Sequence, residues 1–175
     1  MSLIVYASKK GTSKQYALLL SEMTGVHVVD VESIQYANPY ERVVFIAPMY
    51  GGKIHGIKQF KDSVPLNESC RLMVGVVGIH NPDDPEVTLQ AKRAVLDAVP
   101  ESVRDVDVKL LRGNYNHSKL TPLERLMMFA MKKKVERTKP EIVSLYEREL
   151  VNNLGKDVSF FDMKYLYPLI DWLEQ

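Results

Sequence analysis

Four short runs of nearly unbroken apolar residues punctuate the chain: Leu3 to Ala7, Val26 to Val31, Arg42 to Ala47 and Arg71 to Gly78. The apolar positions are continuous and do not alternate, which is the pattern of strands covered on both faces in a parallel sheet. A shorter fifth strand is expected from Asp107 to Leu111. The segments between them read as helices. Ser13 to Met23 stops before Gly25, Gly56 to Ser63 before Pro65, and Pro85 to Val99 before Pro100, all ordinary termination signals. Strands alternating with helices predict βαβ units with right-handed crossovers, and therefore an α/β, doubly wound, five-stranded parallel sheet.

The rhythm breaks after the fifth run. Thr121-Pro122-Leu123-Glu124 supplies an N-cap, a proline at the first helical position and a glutamate at the third, so a helix is expected through Lys134. Another is expected from Pro140 to Asn153, stopped by Gly155, followed by an extended piece from Asp157 to Phe161. Asp162 can cap a terminal helix towards Trp172, with Pro168 kinking it or delaying its start. With 175 residues and neither linker nor repeat, the expectation is one domain over 1–175, carrying an insertion at about 112–155.

Composition narrows the class. With 46% hydrophobic and 26% charged residues the chain matches packed globular proteins, and disordered or collagenous classes drop out. Cys70 is the only cysteine, which excludes an intrachain disulfide and a cysteine-rich metal site and points to a reducing, cytoplasmic setting. Met1-Ser2 leads straight into an apolar strand without a basic leader, and no uncharged apolar run reaches about 18 residues, so neither export nor membrane spanning is expected. The net charge of +1 hides an asymmetry: between Arg112 and Lys139 eight lysines and arginines face only Glu124 and Glu136.

Candidate chemistry sits at the strand ends. Ser8-Lys9-Lys10-Gly11-Thr12-Ser13 joins a strand to a helix, where free backbone N–H groups and the positive helix end favour a phosphate. Gly11 admits close approach, Ser8, Thr12 and Ser13 bring hydroxyls, and Lys9 or Lys10 could add charge. The loop alone also suits an ordinary βα turn with a hydroxyl N-cap. Neither GxxxxGK[ST] nor GxGxxG occurs, which removes the main support for nucleoside triphosphates and dinucleotides. In a doubly wound sheet two further loops share that edge: Pro48-Met49-Tyr50-Gly51-Gly52 and Gly78-Ile79-His80-Asn81. Gly51-Gly52 lets a ligand near the backbone, and Met49, Tyr50, Ile79 and His80 can lie against a flat ring. His27, His55, His80 and His117 lack metal-ligand spacing, and no metal is expected.

These residues resemble the flavodoxins: a hydroxyl-rich phosphate loop, ring-flanking third and fourth loops, and a helix after each strand. The chain looks closest to the flavodoxin-type, menaquinone-dependent protoporphyrinogen oxidases and their related flavodoxin-domain proteins. That likeness rests on Ser8 to Ser13, Met49-Tyr50-Gly51 with Phe60 downstream, the helix after the fifth strand, and Lys156-Asp157-Val158 before Asp162. Lys10 stands where classical flavodoxins usually carry a hydroxyl, whereas the oxidase group often has a basic residue near there. The segment Gly113 to His117 is less arginine-rich and aromatic than the oxidases imply. The resemblance implies strand order 2-1-3-4-5, bound FMN and redox chemistry supplied by the flavin, with no protein nucleophile.

Two roles follow as expectations: an oxidoreductase of the protoporphyrinogen oxidase type acting on a porphyrinogen or quinone, or a non-enzymatic carrier docking on a redox partner protein through Asp83, Asp84 and Glu86. A receiver domain would need an aspartate where the chain has Ala47-Pro48. Leu126 to Met131 runs into Lys132-Lys133-Lys134, a pattern that suits either packing within the protein or a peripheral membrane contact through 121–139. Nucleic acid is not an expected partner.

Overall fold

The computed structural model describes residues 1–34, 39–103 and 105–175. Five parallel strands form its centre: β1 (Ser2–Tyr6), β2 (Val28–Asp30), β3 (Arg42–Tyr50), β5 (Arg71–Gly78) and β6 (Asp105–Arg112). They lie in the order β2-β1-β3-β5-β6, which is 2-1-3-4-5 for the parallel strands counted alone. A two-residue strand, β4 (Lys53–Ile54), folds back antiparallel on the end of β3.

Alternation along each strand builds a core on either face. Val5, Phe45, Leu72 and Val74 point to one side, where Phe60 of α2 (Ile57–Ser63) and Val95 of α3 (Pro85–Leu96) meet them. The rings of Phe45 and Phe60 stack 4.2 Å apart. Ile4, Val44, Ile46 and Met73 point to the other side, against Tyr16 and Leu20 of α1 (Thr12–Thr24) and Leu169 and Trp172 of α6 (Tyr167–Glu174). Helices on both faces explain why β1, β3 and β5 are apolar almost throughout.

Several boundaries differ from the sequence expectation, each for a local reason. β3 continues past Ala47 to Tyr50 because Met49 pairs with Ile54 and Tyr50 with Lys53. The two turn residues, Gly51 and Gly52, have φ of 55° and 77°, as a two-residue hairpin with the strands' own twist requires. The helix expected from Pro140 starts at Leu145 instead, in α5 (Leu145–Asn152), because Ser144 and Glu147 form a reciprocal capping box there. α3 ends at Leu96, short of Val99. Pro168 delays the start of the last helix, one of the two outcomes expected of it: it occupies the first turn of α6, where no N–H is needed, after a 3₁₀ turn over Met163–Leu166 capped by Asp162.

The segment after β6 is bracketed by a ribbon absent from the sequence expectation. β7 (Asn114–Asn116) pairs antiparallel with β8 (Asp157–Ser159), and between them lie α4 (Pro122–Arg137) and α5. Met128 and Met131 of α4 pack with Leu150 of α5, Tyr115 of β7 and Ile79 from the loop after β5. The outer side of α4 leaves Leu123, Leu126, Met127 and Phe129 exposed. Among the described residues no helix is long and apolar enough to cross a membrane.

Candidate functional site

The loops after β1, β3 and β5 come together at the carboxyl edge of the sheet, as parallel strands in this order dictate. In the first, the Gly11 N–H donates to Ser8 Oγ at 3.1 Å, and Gly11 takes φ 95° as it opens α1. Only glycine holds that conformation without strain. No side chain caps α1 and its first turn holds no acidic residue, whereas Asp84, Thr121 and Ser144 each cap their own helices. Beyond Gly11, whose N–H is taken up by Ser8, the N–H groups of the first turn of α1 lack a side-chain acceptor among the described residues and carry the positive end of the helix dipole, conditions that suit an anion. Thr12 and Ser13 are buried there, while Ser8 is partly accessible.

The two lysines of this loop diverge. Lys9 Nζ lies 5.5 Å from the centroid of the Tyr50 ring, joining the first loop to the third-strand hairpin. Lys10 turns the other way: its Nζ donates to Glu124 Oε2 at 3.0 Å and to the Lys119 carbonyl at 3.1 Å. Its charge is thereby committed to the start of α4. The Thr121 backbone N–H, and then the Lys10 ammonium, hold the Glu124 carboxyl below the usual range.

In the second loop, Pro48 and Met49 are buried within β3 and Tyr50 is 43% exposed at the hairpin tip, beside the turn Gly51-Gly52. The His55 ring meets Tyr50 edge-on at 6.3 Å. Partial burial, and then the Lys9 charge, lower the His55 pKa. Tyr50 thus presents an accessible aromatic ring at this edge.

The third loop is built differently. Ile79 turns its side chain into the cluster under α4. His80 is 5% exposed and folds back on its own strand: a Cβ on Gly78 would come within 2.6 Å of the His80 ring. Burial above all, with the Arg112 cation adding to it, pushes the His80 pKa down to about 4. The ring is therefore neutral at physiological pH. Asn81 accepts from the Asp83 N–H at 3.2 Å and shapes the turn into α3. Gly113, just past β6, also reaches this edge, since a Cβ there would lie 3.6 Å from Thr12 Cγ2 and 2.9 Å from Val77 Cγ1.

Residues 3–141 match the family of flavodoxin domains, more than half of the chain. The chain belongs to that flavodoxin-domain family. A solved structure described as a candidate flavoprotein, from Bacteroides uniformis ATCC 8492, is similar in fold, with a TM-score of 0.50 and 13% identity over 64% of this chain and 90% of that chain. No curated protein matches the sequence.

One residue of this flavodoxin domain with many partners escaped the sequence reading. Arg112, at the end of β6, donates from Nε and Nη2 to the Ile79 carbonyl and from Nη2 to Glu149 of α5, and its guanidinium lies 3.9 Å from the centroid of Phe160. The basic count alone marked this position, and nothing in spacing joins it to Glu149. A groove of about 350 Å³ also opens beside α4, lined by His117, Arg125, Phe129, Lys132, Leu154 and Gly155. Among the described residues no three His, Cys, Asp or Glu side chains gather as a metal cluster.

Proposed function

We propose that this flavodoxin domain binds FMN non-covalently at the carboxyl edge of its sheet and acts as an oxidoreductase on a porphyrinogen-type or quinone-type substrate. The observation that carries the cofactor reading is the convergence of an uncapped, glycine-opened helix start with an accessible aromatic face, linked by Lys9 over Tyr50. Backbone N–H groups at the start of α1, with Ser8, Thr12 and Ser13, would hold the phosphate. Tyr50, with the Gly51-Gly52 turn and the Gly78 to Asn81 backbone, would border the ring. When bound, the flavin supplies one- and two-electron transfer. The protein's own part is to position it, exclude water from one side and set the local charge.

The insertion favours an enzyme. Its groove combines three nitrogen-bearing side chains, His117, Arg125 and Lys132, with the apolar surfaces of Phe129 and Leu154. Such a lining suits a flat apolar body bearing carboxylates, although Lys132 also sits 3.8 Å from Glu136 and shares its charge with that residue. A carrier that docks on a partner protein is the second reading, supported by Asp83 and Glu86 beside the third loop. Asp84 is engaged there in capping α3.

The test is a visible-absorbance titration with FMN, using riboflavin to isolate the phosphate, followed by turnover assays. FMN binding that exceeds riboflavin binding supports the phosphate loop. Absence of binding overturns the cofactor reading. Turnover with protoporphyrinogen or a quinone supports the enzyme, and stoichiometric electron exchange alone supports the carrier.

A further inference from the structure

Resting on the FMN reading, we propose that Arg112 is a positioning residue for the ring-side loop after β5, and that Glu149 of the insertion governs it. The loop is held at two successive carbonyls by two successive residues. The Gly78 carbonyl accepts from the Gly113 N–H at 2.7 Å. The Ile79 carbonyl accepts from Arg112 Nε at 3.3 Å and Nη2 at 3.1 Å. Two donors on one oxygen fix the plane of the Ile79–His80 peptide more tightly than one would. In a trans peptide the His80 N–H then points away from Arg112.

Arg112 is itself held from three sides. Its own carbonyl accepts from the buried Tyr16 hydroxyl at 2.6 Å, which anchors the end of β6 to α1. The guanidinium packs on Phe160, just past β8. Glu149, from α5, accepts from Nη2 and sets where the fork points. Both side chains of this pair are largely buried, at 20% and 27% exposed, so the interaction is less screened than a surface pair. Glu149 and Phe160 both come from the segment beyond Arg112, on either side of β8. Any shift of α5 therefore reaches the ring-side peptide through one guanidinium. The insertion and the candidate cofactor edge are mechanically one unit at this point.

The test compares FMN affinity of the full chain with R112Q, R112K, E149Q and the R112Q/E149Q double variant, with the midpoint potential of the bound flavin as second readout. R112Q should weaken FMN binding about tenfold and E149Q about threefold, the double variant matching R112Q alone, because coupled residues are not additive. R112K keeps the charge without the planar fork and should fall between wild type and R112Q. If oxidised and reduced flavin lose affinity unequally by tenfold, the two-electron potential moves by about 30 mV. Should R112Q not fold, the milder R112K and E149Q carry the comparison. The proposal is overturned if wild type binds FMN while the variants bind equally well and lose only thermal stability, or if the two single effects simply add. Failure of wild type to bind FMN instead overturns the cofactor reading beneath it.

Discussion

The ammonium of Lys10 lies 3.0 Å from a carboxylate oxygen of Glu124, tying the loop after β1 to the first turn of α4. Sequence alone offers Lys10 as a phosphate ligand, yet its side chain is already engaged by Glu124 and by the Lys119 carbonyl. Lys10→Ala should therefore leave FMN affinity within about threefold of wild type, since a lost charge-assisted bond to the phosphate would cost about 1.5–3 kcal/mol, tenfold or more. Folding stability should fall by only about 0.5–1 kcal/mol, because both partners are partly exposed and solvent screens the pair. An FMN titration beside a urea melt checks both, and a tenfold loss of affinity would return Lys10 to the phosphate site.

Tyr50 makes a different prediction. It is the one accessible ring among the residues assigned to border the flavin, and Lys9 approaches its face. Tyr50→Ala should weaken binding of FMN and riboflavin by the same factor, about tenfold, because an aromatic pair contributes about 0.5–1.5 kcal/mol beyond the area it buries. Tyr50→Trp should retain most of the affinity. A loss confined to FMN would place Tyr50 at the phosphate end instead.

These cases mark how far the sequence could be read. Strands covered on both faces announce themselves as apolar runs, so the parallel sheet, and with it the edge at which the three candidate loops meet, were legible. β4 and β7, two and three residues long and lying outside any apolar run, were not, even though Gly51-Gly52 is itself a hairpin signal. The three site loops follow from strand order; the directions of their side chains do not. Lys10 turns to a partner 114 residues away and Arg112 to one 37 residues away, pairings that spacing along the chain cannot reveal. His80 folds back because Gly78 leaves room for its ring, a fact of packing alone.

Gly56 should tolerate no side chain. It begins α2 at φ 74°, and a Cβ there would meet Ala7 Cβ at 2.5 Å. Backbone strain and a clash between two rigid elements combine, so Gly56→Ala should destabilise the fold by about 2–4 kcal/mol. Gly25→Ala, also at positive φ but with open space around it, should cost less. Equal denaturation midpoints for the two variants would contradict the close approach of α2 to β1.

His80 should make stability depend on pH within a defined window. Its folded pKa of about 4 lies below the ordinary 6.5, so the unfolded chain binds the proton more readily. Above pH 6.5 both states are neutral at this residue and stability is unaffected. Between pH 6.5 and 4 the unfolded state gains a proton that the folded state refuses, and stability falls as pH falls, by about 3 kcal/mol at most. Carboxylates with lowered pKa values, such as Glu124 and Glu147, add their loss only at more acid pH. Urea midpoints taken at intervals from pH 7 to pH 4.5 should therefore decline in wild type, and His80→Gln should flatten the decline above pH 5. An unchanged slope in that variant would mean that the ring is hydrated in the folded protein and its burial against Gly78 does not hold in solution.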